Sequence, residues 1–440
     1  MTEYRPLRDL PLAPGYGPGD VLVLIGELFG RGYANGIIDA ARRQGVTIIG
    51  TTVGRRDSDG TLRPLTAEEL AEAEANLGGG IVNIPLEAGF DMDGADGYPS
   101  PCDLLKGVKP DSVASLTLDR KAIDAARRQG VARFVANMLA VAAQLATLIP
   151  AKANVIFAHA MAGGIPRTRV LMPLLNRVFK GTGEKFMSSE TFWQTDLGRL
   201  CSDSFDEVTA ETFRHLIEAT SGIRERNSAA GGRVSYTAYG YHGCEVLIGG
   251  TYTWQSYTPY LQGWAKMRLE AIAEEAWSKG IKACVFNAPE ILTNSSALFL
   301  GLELSLYPLL SAVEREGGGD RAAALRQACQ DILREGETVD GLLARADAYL
   351  ASPLLQPFAD YSTWPHHNTS AQAELMLGAS AELMAFNADP KRMFCSELSQ
   401  VVFTAVGDIM FASSWELPAP VLWLNHDVVA RSFAASQSCS

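Results

Sequence analysis

A phenol and an ammonium nine positions apart, Tyr257 and Lys266, stand in the stretch GGTYTWQSYTPYLQGWAKMRLE (residues 249–270), at the entry to an amphipathic helical pattern. A cation beside a phenol stabilises the phenolate and lowers a pKa that is otherwise about 10, which makes the hydroxyl a better proton donor. Tyr252 and Tyr260 lie in the same stretch and are the alternative phenols. No shorter Tyr-x3-Lys spacing occurs in the chain. Other reactive patterns are missing: there is no GxSxG, and the pair His366-His367 has no third ligand at metal-site spacing, so no metal is expected. His159 and His242 flank strand-like runs and read as structural residues.

The elements that must position such a pair begin near the N-terminus. Residues 20–25 (DVLVLI) form a continuous apolar run, as a strand buried on both faces of a parallel sheet requires. A turn carrying Gly26, Gly30, Gly32 and Gly36, with Arg31 inside it, leads into the helical pattern IIDAARRQ and a second strand at 46–53. A cofactor pyrophosphate lies against bare backbone N–H groups at a helix N-terminus, where a Cβ would intrude. The spacing G-x3-G-x-G-x3-G resembles the turn of short-chain dehydrogenases. Gly26, Gly30, Arg31 and Gly32 are therefore the candidate pyrophosphate contacts. Beyond the second strand stand Arg55 and Arg56, a pair that favours the 2′-phosphate of NADPH, while Asp57 could serve NADH.

Further strands are expected at 81–84, 154–160, 233–252 and 283–287, with a long helix over 119–149. The fold class predicted is α/β, a Rossmann-like doubly wound parallel sheet of short-chain-dehydrogenase type with large helical insertions. The chain is read as one enlarged reductase domain: a first nucleotide-binding half (1–165), a helical insertion (166–232), a catalytic half (233–320) and a C-terminal helical extension (321–440). The string IDAARRQGV occurs at 38–46 and again at 123–131, and is read as two helices each ending at its glycine.

With 440 residues, 47% apolar and 20% charged, the chain can bury a large core. Its net charge of −12 gives no general attraction to nucleic acid or anionic lipid, so a small-molecule or acyl-carrier partner is expected. Seven scattered cysteines without CxxC spacing read as reduced thiols. The N-terminal residues lack an apolar signal region, and the apolar run 136–149 is too short to span a bilayer. These readings predict a cytoplasmic protein, a monomer or small homo-oligomer. On this acidic chain Arg167, Arg169, Arg177, Lys180 and Lys185 form a basic cluster, either a solvated helix face or a dock for an acidic carrier protein.

Thr253-Trp254-x2-Tyr257-x8-Lys266, with Gly263 and Ala265 before the lysine, resembles the active segment of the FabV-type enoyl-acyl-carrier-protein reductases and related trans-2-enoyl-CoA reductases. Thr293-Asn294-Ser295-Ser296-Ala297 is similar to that family's loop T-Q-A-S-S-A. The arginines at 55 and 56, the turn MAGGIPRTR and the last 90 residues depart from the family, which points to a divergent branch resembling the FabMG-type. The resemblance implies reduction of a trans-2-enoyl thioester, carried by acyl-carrier protein or CoA, with NADPH or NADH. It makes Tyr257 the donor to the thioester oxygen and Lys266 the ribose contact. Thr293, Asn294 and Ser295 would hold the nicotinamide side, with Tyr252, Trp254 and Tyr260 beside the substrate. The Tyr-x8-Lys spacing, in place of the Tyr-x3-Lys of ordinary ketoreductases, moves the expectation from carbonyl to double-bond reduction. A ketoacyl reductase using Tyr260 and a non-catalytic NADP-binding sensor are the alternatives.

Overall fold

The computed structural model describes residues 2–30, 32–87, 94–161, 168–256, 266–292, 300–389 and 391–436. In chain order its strands are β1 (Val21–Ile25), β2 (Thr47–Thr52), β3 (Arg55–Arg56), β4 (Leu62–Arg63), β5 (Gly80–Pro85), β6 (Val155–His159), β7 (Val234–Gly240), β8 (Gly243–Ile248), β9 (Thr251–Ser256), β10 (Ala283–Asn287) and β11 (Val421–Trp423). Seven form one parallel sheet in the order β11-β10-β7-β6-β1-β2-β5. The winding reverses between β1 and β6, and in such sheets ligands bind at the carboxyl ends of the strands on either side of that reversal.

The apolar runs are explained by burial on both faces. All five residues of β1 are buried, and so are those of β6 and β10. Side chains alternate across a strand, so Leu22 and Leu24 join the cluster containing Ile37, Ile38 and Val402, while Val21, Val23 and Ile25 join Phe134, Val141 and Phe157 on the other face. Helix Arg120–Leu148 covers that second face through Phe134, Met138, Val141 and Leu145. This helix and Phe394–Ser413 are long and apolar enough to cross a membrane by length and composition. Phe394–Ser413 buries most of its length within the core, including Val402, Val406 and Met410.

The repeated nonapeptide has two outcomes. Helix Ala34–Arg43 stops before Gly45, which sits at φ +68° and leads into β2. In the second copy the helix runs straight through Gly130, correcting the expectation of a stop there. The continuations differ: Thr47-Ile48-Ile49 is β-branched and pairs with β1, whereas residues 132–145 are rich in Ala and Leu. Beyond β7 the chain leaves the sheet. Strands β8 and β9 form a separate antiparallel hairpin around Gly249 and Gly250, both at positive φ (54° and 83°), as a two-residue turn of this hand requires.

The C-terminal region is more than a helical extension, because it supplies edge strand β11 and the helix Phe394–Ser413 that lies on Ala34–Arg43. That crossing is closed by two glycines. A Cβ on Gly36 would overlap the Phe403 carbonyl, and one on Gly407 would overlap the backbone of Gly36. Gly36, part of the sequence motif, is thus a helix-packing glycine. Gly407→Ala should lower the unfolding free energy by about 1–3 kcal/mol, the usual cost of overpacking. Gly378→Ala, at an exposed mid-helix site with nothing within 4 Å of the added Cβ, should raise it by about 0.5–1 kcal/mol. Denaturant melts showing equal effects would contradict this account of the crossing.

Candidate active site

The glycine turn leaves β1 at Gly26, whose φ of +117° favours glycine and whose N–H donates to Thr51 Oγ1 at 3.0 Å. A Cβ here would come within 3.2 Å of the Ala160 backbone, so the turn is drawn tightly over the end of β6. Asn35 Nδ2 donates to the carbonyls of Phe29 (2.9 Å) and Gly32 (3.0 Å), which staples the loop to the start of helix Ala34–Arg43. Nothing lies within 4 Å of a Cβ built on Gly30 or Gly32, and the helix has no side-chain cap on its first turn. Open backbone at an uncapped helix start fits a dinucleotide pyrophosphate. Arg31 lies outside the described residues.

Lys266 caps helix Met267–Ser278 and is only 3% exposed. Its Nζ donates to the Tyr239 carbonyl at 3.1 Å and sits 5.4 Å from the centre of the Tyr241 ring. Burial pushes its pKa down to about 7, so charged and neutral forms are both populated near neutrality. A buried lysine with a depressed pKa at a carboxyl strand edge is a functional candidate on electrostatic grounds. His159, the last residue of β6, is likewise driven down to about 3 by burial and by the Lys266 charge, and is neutral at physiological pH. Because the Thr212 hydroxyl donates to the Val208 carbonyl (2.9 Å), the His159 ring must donate from Nε2 to Thr212 Oγ1 (2.8 Å).

A second buried network fixes the lysine's helix. Glu270, one turn beyond Lys266, accepts from His242 Nδ1 and from Asn287 Nδ2, each at 2.8 Å, while Asn287 Oδ1 accepts from the His242 backbone N–H at 3.1 Å. Asn287 ends β10, and a Cβ on Gly240 at the end of β7 would overlap its side chain. His242 thus links the lysine's helix to the end of β10. Sequence reasoning missed the aromatic trio Tyr33, Tyr239 and Tyr241, with Tyr33 centred 5.4 Å from each of the other two rings. The Tyr33 hydroxyl donates to the Pro289 carbonyl and thereby ties the glycine turn to the segment after β10. It also missed Glu290 in that segment, whose carboxyl burial raises to about 8, so that it is mostly protonated at pH 7. The only sequence hint was a tyrosine at each strand or turn end.

The remaining candidates are placed as follows. Tyr257, Tyr260, Thr293, Asn294 and Ser295 lie outside the described residues. Tyr252 points its hydroxyl at Glu316 (2.9 Å) and its ring at Arg315, on the outer side of the hairpin. Trp254 is buried in an aromatic cluster with Tyr4, Tyr361 and Trp364. The next two residues, Gln255 and Ser256, are the ones that line a cleft. Both arginines beyond β2 are engaged by carboxylates: Arg55 pairs with Glu27 at 2.7 Å and Arg56 with Glu87 at 2.6 Å. Their charges are therefore already matched, which removes the simple basis for assigning them to a 2′-phosphate.

Residues 3–433 match the model of the family described as enoyl-acyl carrier protein reductase FabMG. A solved structure described as the apo form of FabMG, a novel type of enoyl-acyl carrier protein reductase, is 50% identical; 100% of each chain is covered, with a TM-score of 0.94. A second, described as the NADH-bound structure of FabMG, is 42% identical over 99% of this chain and 100% of that one, with a TM-score of 0.78. No curated protein sequence matches the chain. With the family model spanning nearly the whole sequence, and with a glycine turn and a buried lysine meeting at the carboxyl edge of a doubly wound sheet, the chain belongs to the FabMG family of enoyl-acyl carrier protein reductases.

Proposed function

We propose that this chain reduces the trans-2 double bond of an enoyl thioester on acyl-carrier protein, at a site centred on Lys266 and Tyr257 within one enlarged Rossmann-like reductase domain. The observation that carries the reading is the buried Lys266 ammonium at the carboxyl edge of the sheet, held by the Tyr239 carbonyl beside the glycine turn. A bound reduced nicotinamide would supply the hydride that arrives at C3 of the substrate. Negative charge then grows on the thioester oxygen, and Tyr257 donates a hydrogen bond to it; one such donor is commonly worth about 3–4 kcal/mol. Lys266 binds the ribose and, by its charge, favours that donation. Gly26, Gly30 and Gly32 leave backbone free for the pyrophosphate, with Thr293, Asn294 and Ser295 on the nicotinamide side. The family supports a cytoplasmic, fatty-acid-synthesising role.

Tyr257→Phe and Lys266→Met should each lose about two or more powers of ten in nicotinamide-dependent reduction of crotonyl and longer enoyl thioesters. Full activity in both would sink the assignment. The lysine also carries a pH signature. Its folded pKa of about 7 lies below the unfolded value of about 10.4, so burying the charge costs stability fully below pH 7, and the cost fades as pH rises from 7 towards 10. Lys266→Met should therefore melt higher than the parent at pH 6, with the gain shrinking by pH 9. A gain that grows with pH would contradict a buried, strained charge.

Cofactor choice rests on Glu27, which follows the first glycine of the turn and holds Arg55. Its carboxylate occupies the arginine and repels an added phosphate, which supports NADH over NADPH. Glu27→Gln should raise kcat/KM for NADPH relative to NADH by about fivefold or more, about 1 kcal/mol of altered charge interaction. An unchanged ratio would remove Glu27 from the cofactor site. For carrier docking, Arg177 and Lys180 offer positive charge on a partly exposed helix end. Reversing both should raise KM for carrier-bound substrate while leaving KM for the CoA thioester within about twofold, the behaviour of charges that steer association.

A further inference from the structure

The C-terminal segment that has no counterpart in the FabV-type resemblance lines an apolar cleft together with the end of β9. The cleft is lined by Gln255 and Ser256 at the end of β9, by Leu302 just past the loop that follows β10, and by Leu350, Leu355 and Met376 from the C-terminal helical region. Gln255 and Ser256 bring polar groups to the cleft at the end of β9, whereas Leu302, Leu350, Leu355 and Met376 give it hydrocarbon walls. Leu350 and Leu355 are nearly fully buried and fixed, whereas Met376, on helix Ser370–Ala385, is an unbranched thioether pressed against Gly301. Gly301 holds φ +94°, and a Cβ there would overlap the Met376 side chain. A flexible methionine across a glycine is a movable plug.

The geometry points to this cleft as the seat of the substrate's acyl chain, with Met376 setting the chain length accepted. The inference rests on the enoyl thioester reading above, because it is the thioester oxygen at Tyr257 that would anchor the chain's polar end beside Gln255 and Ser256. From that end an alkyl chain would lie against Leu302, Leu350 and Leu355 and meet Met376, which line the same cleft. Each methylene that finds room is worth about fourfold in kcat/KM by burial alone, so a change of a few methylenes in depth is readable.

The test compares crotonyl and trans-2-dodecenoyl thioesters in the full-length protein. Met376→Ala should raise the dodecenoyl-to-crotonyl ratio of kcat/KM at least fivefold, and Met376→Trp should lower it at least tenfold. Leu355→Phe, a milder filling of the same wall, should shift the ratio in the same direction as Met376→Trp and guards against misfolding of the larger variant. Ratios within twofold of the parent in all three would overturn the inference. A second arm needs no turnover: saturated dodecanoyl-CoA should raise the melting temperature of Met376→Ala more than that of the parent, with butyryl-CoA raising both equally. Equal dodecanoyl shifts would overturn the cleft assignment. A parent that oxidises no nicotinamide with any enoyl thioester, yet shows the dodecanoyl difference, would instead place the failure in the proposed reaction.

Discussion

One buried ammonium makes demands on everything around it. Among the described residues Lys266 meets the Tyr239 carbonyl and the face of the Tyr241 ring, and burial makes its charge costly. Such a group persists only where the surrounding framework is rigid enough to hold it. The Glu270–His242–Asn287 network provides that rigidity, because it ties the helix begun by Lys266 to the ends of β7 and β10 through groups that are themselves fully buried. The lysine is held by strand ends and a helix start, elements that do not drift as loops do.

The same edge is drawn together by close backbone approaches. Gly26 over Ala160, Gly240 against Asn287 and Gly36 against Gly407 each occupy a place where a methyl group would not fit. The first brings the glycine turn down onto β6, the second lets Asn287 reach under β7, and the third seats the C-terminal helix on the helix that begins at the turn. Tyr33 then links that turn to Pro289 across the crevice. The glycine turn and the segment after β10 are thus mechanically joined.

Much of the frame was legible beforehand. Continuous apolar runs at β1, β6 and β10 mark strands buried on both faces, and the strand-turn-helix-strand order with its glycines places a ligand at their carboxyl ends. Lys266 stood out through its spacing from Tyr257. Less was legible where one residue type serves two purposes. Gly36 sits in the phosphate-turn motif but acts in helix packing, and Gly130 repeats the context of Gly45 without ending its helix. Arg55 and Arg56 signalled a phosphate by type alone, whereas Glu27 and Glu87, 28 and 31 positions away, meet them in space.

By itself the sequence determined the strands and the glycine turn, because these depend on local periodicity and on spacing along one segment. Tertiary structure alone decided which charges remain matched, which glycines are spent on packing, and that the C-terminal region supplies β11 and one wall of the cleft. Those outcomes depend on contacts between residues tens to hundreds of positions apart, such as Gly36 with Gly407 and Gly301 with Met376. The sequence spacing singles out Lys266, but its depressed pKa comes from burial beside Tyr239 and Tyr241, and no one-dimensional pattern encodes the depth at which a side chain sits.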